Sequence, residues 1–339
     1  DTQHTIEDIF RQAQTVYNRW SKLPNEERTT QRLLDDLDFD FFNLLDAVTI
    51  ARSRKHIEKY YDTTDIGSFP ERLKPISKRP PLTDLADNKT ATYTDISQML
   101  NELNLSVYAP SFYIHASKLY KYGIEEGQEM KGMSMAGREK GIRRLMAINM
   151  LKRLESSVNS FRLTLRRIKD IIDTHIETIN KFEITGIQGN FDFEEYNADS
   201  FDGDDSEDDV FVGGKKTPIS LADMDYMSWR RDMQHDQEIF AILLDLLKDI
   251  TPEHDSKLQM LRRNLQEKFL NPINPDNKKV IIFTAFSDTA QYLYEQLAQP
   301  IFDKAHLYTA LVTGNGVKTN LPKVESDFNT LLTLFSPVS

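Results

Sequence analysis

Between residues 137 and 180 the apolar side chains fall into a single repeating line. Ala147, Leu151, Leu154, Val158, Phe161, Leu165, Ile168, Ile172, His175 and Ile179 alternate at spacings of four and three. Such spacing keeps one stripe of a helix facing a partner and is useless to a strand, whose faces alternate every second residue. It predicts one long helix packed in a bundle, with a heptad-like seam sustained over about four heptads. Between the seam positions lie Lys152, Arg153, Arg162, Arg166, Arg167 and Lys169. Two readings stand for them: a solvated face of a packed helix, or a face that also tracks phosphate. His175 sits on the seam as a polar core or edge residue.

The flanking segments are read by the same periodicity. Residues 5–62 are expected to be helical, with Leu33, Leu34, Leu37, Phe41, Leu44, Leu45 and Val48 at the helical period. Gly67-Ser68-Phe69-Pro70, followed by Pro75, Pro80 and Pro81, predicts an extended connector over 67–90, because proline removes amide donors and restricts the residue before it. Arg72, Lys74, Lys78 and Arg79 make it basic. Residues 93–122 read as two helices around Pro110. Residues 217–270 return to helix through Ile239, Ile242, Leu243, Leu246 and Leu247, then Leu258, Leu261, Leu265 and Phe269.

Beyond residue 275 the pattern changes. Lys279 to Phe286 (KVIIFTAF) is a short apolar run suited to a strand buried on both faces. Ser287 is placed to cap the helix that follows. His306 to Thr313 reads as a second strand ended by Gly314-Asn315-Gly316, and a further helix follows Pro322. Strand, helix, strand, helix with short connections is the start of a parallel α/β sheet. Two parallel strands make a poor sheet, so the expectation is a domain cut short or completed by other segments.

The 339 residues include 42 Lys and Arg against 53 Asp and Glu, a formal charge of −11. This argues against a nucleic-acid binder only until its distribution is seen. Residues 182–214 hold eleven acids and no base, matching the whole imbalance. That stretch, with Phe191, Phe193, Tyr196, Phe201 and Phe211 among its acids, is expected to be a solvated, mobile insertion; a DNA mimic or docking strip is the other reading. With no cysteine, disulfides, thiolate metal sites and cysteine nucleophiles are excluded. No apolar run reaches the roughly 18 residues of a membrane span. Asp1-Thr2-Gln3-His4 has the look of a cut end rather than a signal peptide; the expected location is cytoplasmic. Gly213-Gly214-Lys215-Lys216-Thr217 lacks the first glycine and the Ser/Thr of a P-loop. There is no H-E-x-x-H and no G-x-S-x-G. No catalytic residue, cofactor site or metal site is expected in the chain.

Four stretches, in order, resemble the Swi/Snf-type branch of superfamily two DNA helicases and translocases in its bacterial form. Thr49 to Ile57 (TIARSRKHI) looks like the arginine-rich segment leaving the first RecA-like lobe. Phe69-Pro70-Glu71-Arg72, followed by a helical stretch with Tyr93 and Tyr108, looks like the crossing into the helical insertion. Leu151 to Ser157 (LKRLESS), followed by Phe161, Thr164 and Leu165, is the most specific feature. Lys279 to Ala290 (KVIIFTAFSDTA) looks like the opening strand and motif IV of the second lobe. Val312-Thr313-Gly314 matches the strand-then-glycine turn and Phe328-Asn329 the next helix.

The resemblance implies a mainly α chain: a long-helix bundle insertion followed by an incomplete RecA-like α/β lobe of truncated parallel strands. Its divisions are 1–66, the helical end of the first lobe; 67–90, the connector; 91–182, the helical insertion; 183–216, the acidic insert; 217–274, a helical hairpin; and 275–339, the start of the second lobe. It implies a parent protein that hydrolyses ATP with Mg while moving on duplex DNA. The Walker A and B segments belong upstream of residue 1, and motif V and the arginine-finger motif VI beyond Ser339, so the chain itself is expected to be inactive. Its implied contributions are coupling of the lobes and backbone contacts from Thr284, Ser287, Asp288 and Gly314, with Arg52, Arg54, Lys55, Lys152 and Arg153 as basic candidates. Arg52, Arg54 and Lys55 fit equally a phosphate contact or a tie between lobe and insertion; Lys318 and Lys323 match the family's basic position only approximately. The competing class is a non-enzymatic helical scaffold or interaction module. Oligomeric state is left open, since a seam can lie within or between chains.

Overall fold

The computed structural model describes residues 5–24, 26–48, 73–85, 92–122, 135–186, 190–194, 216–273, 277–324 and 327–335. The described chain is mainly helical. It divides into two compact units near residue 76. None of its helices is long and apolar enough to cross a membrane.

The first unit holds α1 (Ile6–Ser21), α2 (Thr30–Asp36) and α3 (Phe39–Val48). Thr5 and Thr29 start α1 and α2 as N-caps, each hydroxyl accepting from a backbone N–H three residues on. Phe10 meets Phe41 edge to face, and the Trp20 Nε1–H donates to the Thr29 carbonyl at 3.0 Å. Ile9 is its single buried apolar residue among those described.

The second unit carries the main core. Its helices are α4 (Tyr93–Glu102), α5 (Met135–Ser156), α6 (Val158–Thr185), α7 (Tyr226–Leu247), α8 (Ser256–Leu270), α9 (Ser287–Ala305) and α10 (Phe328–Phe335). The expected single long helix is two helices. Ser157 interrupts it with extended backbone (φ −158°, ψ 149°), and its hydroxyl accepts from the Ser160 N–H at 3.0 Å. A serine that offers its own acceptor to the backbone competes with the helical hydrogen bond and starts a new helix. The seam after the break is as read, with Val158, Phe161, Leu165, Ile168, Ile172 and Ile179 buried. Before it, the buried line runs through Met146, Met150 and Leu154, one residue away from Ala147 and Leu151. Near the far end Ile176 is buried, and His175 lies half-buried edge-on to the Trp229 ring, where burial pushes its pKa down.

The segment around Pro110 is α4 followed by three short 3-10 turns (106–108, 110–113 and 116–122) rather than two α-helices. Its geometry is held from α7. The Asp236 carboxylate is buried and accepts from the N–H groups of Asn104 (2.7 Å) and Ser106 (3.1 Å). Leu105, between them, is left-handed (φ 50°), a strained conformation for a branched side chain. The Trp229 Nε1–H donates to the Ser106 carbonyl at 3.0 Å. Burial raises the Asp236 pKa against the pull of its N–H donors.

The acidic insert is more ordered at its ends than its composition suggests. Residues 183–185 complete α6, which ends at left-handed Gly186. Strand β1 (Asn190–Glu194) pairs antiparallel with β2 (Lys216–Ser220), with Asn190 opposite Ser220. Residues 195–215 lie outside the described residues. Of the expected connector, residues 73–85 are described and carry no helix, and Leu82 is buried in the core.

The last segment departs most from expectation. Residues 279–286 form no ladder among the described residues, and Ile281 and Phe283 are exposed. An apolar run becomes a strand only when its backbone pairs with another, and residues of this run line a groove opposite Thr309–Thr313 without a ladder. Strand β3 (Ala310–Thr313) turns at Gly314-Asn315 and pairs antiparallel with β4 (Gly316–Thr319). A two-residue connection permits only antiparallel pairing; β3 lies within the expected 306–313 strand, and its partner is β4 rather than a parallel strand at 279–286. Gly316, at φ 142°, takes backbone that a side chain would resist.

Replacing Asp236 by Ala leaves two N–H groups, one buried and one half-buried, without their acceptor. The expected loss is about 2–4 kcal/mol, read as a lower urea midpoint; Asp236→Asn, which keeps one acceptor oxygen, loses less.

Candidate functional site

The break at Ser157 aims the end of α5 at the start of α9. Arg153, Ser156 and Ser157 project from one side, and Phe286, Asp288 and Thr289 from the other. Arg153 Nη1 donates to Asp288 Oδ2 at 2.8 Å, and both side chains are about 95% buried, at 5% and 4% relative exposure. The guanidinium lies over the Phe286 ring, 4.6 Å from its centroid. The Thr289 hydroxyl meets the Ser156 hydroxyl at 2.7 Å and the Ser157 hydroxyl at 3.1 Å. Asp288 sits in the first turn of α9, where a negative charge complements the helix dipole. Residues of the LKRLESS string (151–157) therefore dock against Asp288 and Thr289 of the KVIIFTAFSDTA string (279–290).

A second cluster lies alongside. Asp255 caps α8 by accepting from the N–H groups of Lys257 and Leu258, both at 3.0 Å. The buried Tyr292 hydroxyl of α9 donates to its other oxygen at 3.0 Å. Arg162 of α6, half-buried, donates to the carbonyls of Leu247 (2.8 Å) and Ile250 (2.7 Å) at the C-terminal end of α7. Burial first, and neighbouring Arg166 second, push its pKa down. Leu258, Leu265, Tyr292 and Leu297 form a small apolar core between α8 and α9.

The basic face thus splits. Arg153 and Arg162 turn inward, and Lys169 pairs with Asp173 at 2.7 Å. Lys152 and Arg166 are exposed, and Arg167 is about one-third exposed.

The expected DNA-backbone residues are dispersed in the same way. Arg153 and Asp288 are corrected: each is buried and occupied by the other, so neither presents its charge to solvent. Thr284 and Ser287 line one groove of about 280 Å³ together with Tyr294 and Thr313. The Thr284 hydroxyl donates to the Phe286 carbonyl at 2.9 Å. Phe286, not Ser287, occupies the N-cap position of α9, and no side chain caps it. Gly314 is exposed at the hairpin tip. Lys152 stands on the surface of α5. Arg52, Arg54 and Lys55 lie outside the described residues. Sequence reasoning missed Ser156, Ser157 and Thr289 as a hydroxyl chain; the doubled serine after a charged helix end was its only local signal. It also missed Asp255 and Tyr292, whose spacing in sequence carries none.

Among the described residues no group of three or more His, Asp or Glu could hold a metal ion. No family model, curated protein or solved structure matches the chain.

Removing Asp288 by Asp288→Ala leaves the Arg153 charge buried without its carboxylate. The expected cost is about 3–5 kcal/mol, whereas Arg153→Met with Asp288→Leu recovers most of it; urea denaturation of the wild type and the two variants measures the difference. A second expectation concerns alkali. Burial, then Asp255, raises the Tyr292 pKa above the ordinary 10.0. The folded chain thus holds this proton more tightly than the unfolded chain. Its contribution is complete below the unfolded value and is lost as pH rises through the folded one. Urea midpoints followed from about pH 9 upward should fall, and Tyr292→Phe should flatten that slope. Tyr93, Tyr122 and Tyr294 shift in the same direction, so the slope is reduced rather than abolished.

Proposed function

We propose that the chain is the coupling part of an ATP-dependent DNA translocase of Swi/Snf type, joining two motor lobes that close on nucleotide and duplex DNA. The observation that carries this reading is the buried joint of Arg153, Ser156 and Ser157 with Asp288 and Thr289. Two of the four strings that resemble the family, 135 residues apart at the ion pair, meet each other. A joint of this kind lets a helical insertion pass hinge motion to the first helix of the second lobe. Arg153 and Asp288 accordingly serve coupling rather than DNA contact. Thr284, Ser287, Gly314 and Lys152 remain the phosphate-facing candidates, because hydroxyls, amides and ammonium groups position a backbone without reading bases.

In this reading residues 275–339 begin a RecA-like lobe whose sheet is completed by motor segments outside the chain. ATP and Mg belong to the parent protein, which needs a Lys and a Mg²⁺ carboxylate from one lobe and an arginine from the other. A second reading, a helical scaffold without enzymatic role, is favoured by one observation: among the described residues, 279–286 form no strand, where the translocase reading expects one parallel to 306–313.

DNA-stimulated ATP hydrolysis separates the two. The complete gene product should hydrolyse ATP in response to duplex DNA, and the 339-residue chain alone should not. Thr289→Val, which breaks the hydroxyl chain and spares the ion pair, should lower the DNA-stimulated rate by about fivefold, a coupling on the order of 1 kcal/mol. A complete gene product without DNA-stimulated hydrolysis would leave the scaffold reading standing.

A further inference from the structure

Arg167 occupies an unusual position beside the joint. It follows Ser160 and Thr164 on α6 at spacings of four and three, so it lies on the face turned toward Asp288. Its Nη1 comes within 3.6 Å of Asp288 Oδ2, the same oxygen that Arg153 holds at 2.8 Å. That nitrogen has no exposed surface and no hydrogen-bond partner among the described residues. The side chain as a whole is 36% exposed. One nitrogen is therefore pressed toward Asp288 while part of the side chain reaches solvent.

Two guanidinium groups face one carboxylate, and no other carboxylate among the described residues pairs with Arg167. The N-terminus of α9 adds partial positive charge. The buried Nη1 is closed to any outside ligand, and its attraction to Asp288 orients the guanidinium, of which only the remainder can meet solvent. A guanidinium held at one nitrogen keeps a planar fork for two oxygens of an anion. Exposed Arg166 and Lys152 add positive charge on the same two helices, as suits a polyanion.

We propose that Arg167 is a phosphate ligand for bound DNA, with Asp288 as the positioning group that holds its guanidinium. The proposal deepens the translocase reading and rests on it. Asp288 then has two tasks, closing the joint through Arg153 and presenting Arg167, so that the joint and the DNA share one carboxylate.

The test is fluorescence anisotropy of the complete chain with labelled duplex DNA across a salt series, for the wild type, Arg167→Gln, Arg167→Lys and Arg166→Gln. Arg167→Gln should weaken binding and lower the slope of log affinity against log salt by about one. Arg167→Lys keeps the charge, so it should retain the slope while losing affinity with the fork. Arg166→Gln, which removes an exposed charge with no link to Asp288, should change binding less. Urea midpoints close to wild type establish that the variants fold, and Arg167→Lys carries the test if Arg167→Gln does not. Wild-type binding with an unchanged slope in Arg167→Gln would overturn the Arg167 assignment alone. No binding by the wild type at low salt would overturn the assignment together with the DNA contact of the translocase reading. An Arg167-dependent thermal shift with inorganic phosphate, without any Arg167 effect on DNA, would reassign the site to a small anion and overturn the proposal.

Discussion

The contact between Arg153 and Asp288 organises the second unit around a break. A buried ion pair gains little unless its geometry is good and its remaining donors and acceptors are met. Here Ser160 lies 3.4 Å from the same Arg153 nitrogen, the Phe286 ring receives the guanidinium, and two serine hydroxyls flank Asp288 through Thr289. These partners converge only because α5 stops at Ser156 and α6 starts at Val158. An unbroken helix would leave Ser157 in the backbone ladder and turn its hydroxyl to other uses. The capping preference of one serine thus decides where a charge pair can form.

The same logic of polar groups anchoring irregular backbone recurs elsewhere. Asp236 holds the left-handed Leu105 turn, and Asp255 ties the start of α8 to Tyr292 of α9. Thr83 and Asp255 also form an isolated bridge, which fixes the connector. Each of these carboxylates satisfies backbone donors that no regular element satisfies. The apolar seam supplies the bulk of the burial, while these few polar contacts choose among the ways the helices could stack.

Much of the helical layout was legible from residue spacing. The stripe from Val158 to Ile179, the pair of helices after residue 225 and the stretch 73–85 without helix follow from local periodicity and proline chemistry. The strands were legible only in part: β3 falls inside the expected His306–Thr313 strand, and its partner was missed. Gly314-Asn315 was read as the end of a strand, although a two-residue turn followed by Val317-Lys318-Thr319 is itself a hairpin signal. The Lys279–Phe286 run has strand composition, but ladder pairing depends on a neighbour that composition cannot supply. Of the expected DNA-facing residues, Arg153 and Asp288 were misassigned because charge was taken as exposure. Position on a helix face does not reveal whether a countercharge waits opposite.

By itself the sequence determined a cysteine-free, mainly helical chain whose net charge is concentrated in one insert. Those properties reside in local spacing and composition, so they survive any packing. The tertiary structure alone decided that LKRLESS and SDT meet, which basic residues of one helix face turn inward, and that Arg167 shares a carboxylate already taken. Partner choice across 135 residues depends on distances of a few ångströms, and Coulomb and hydrogen-bond energies change steeply over that range.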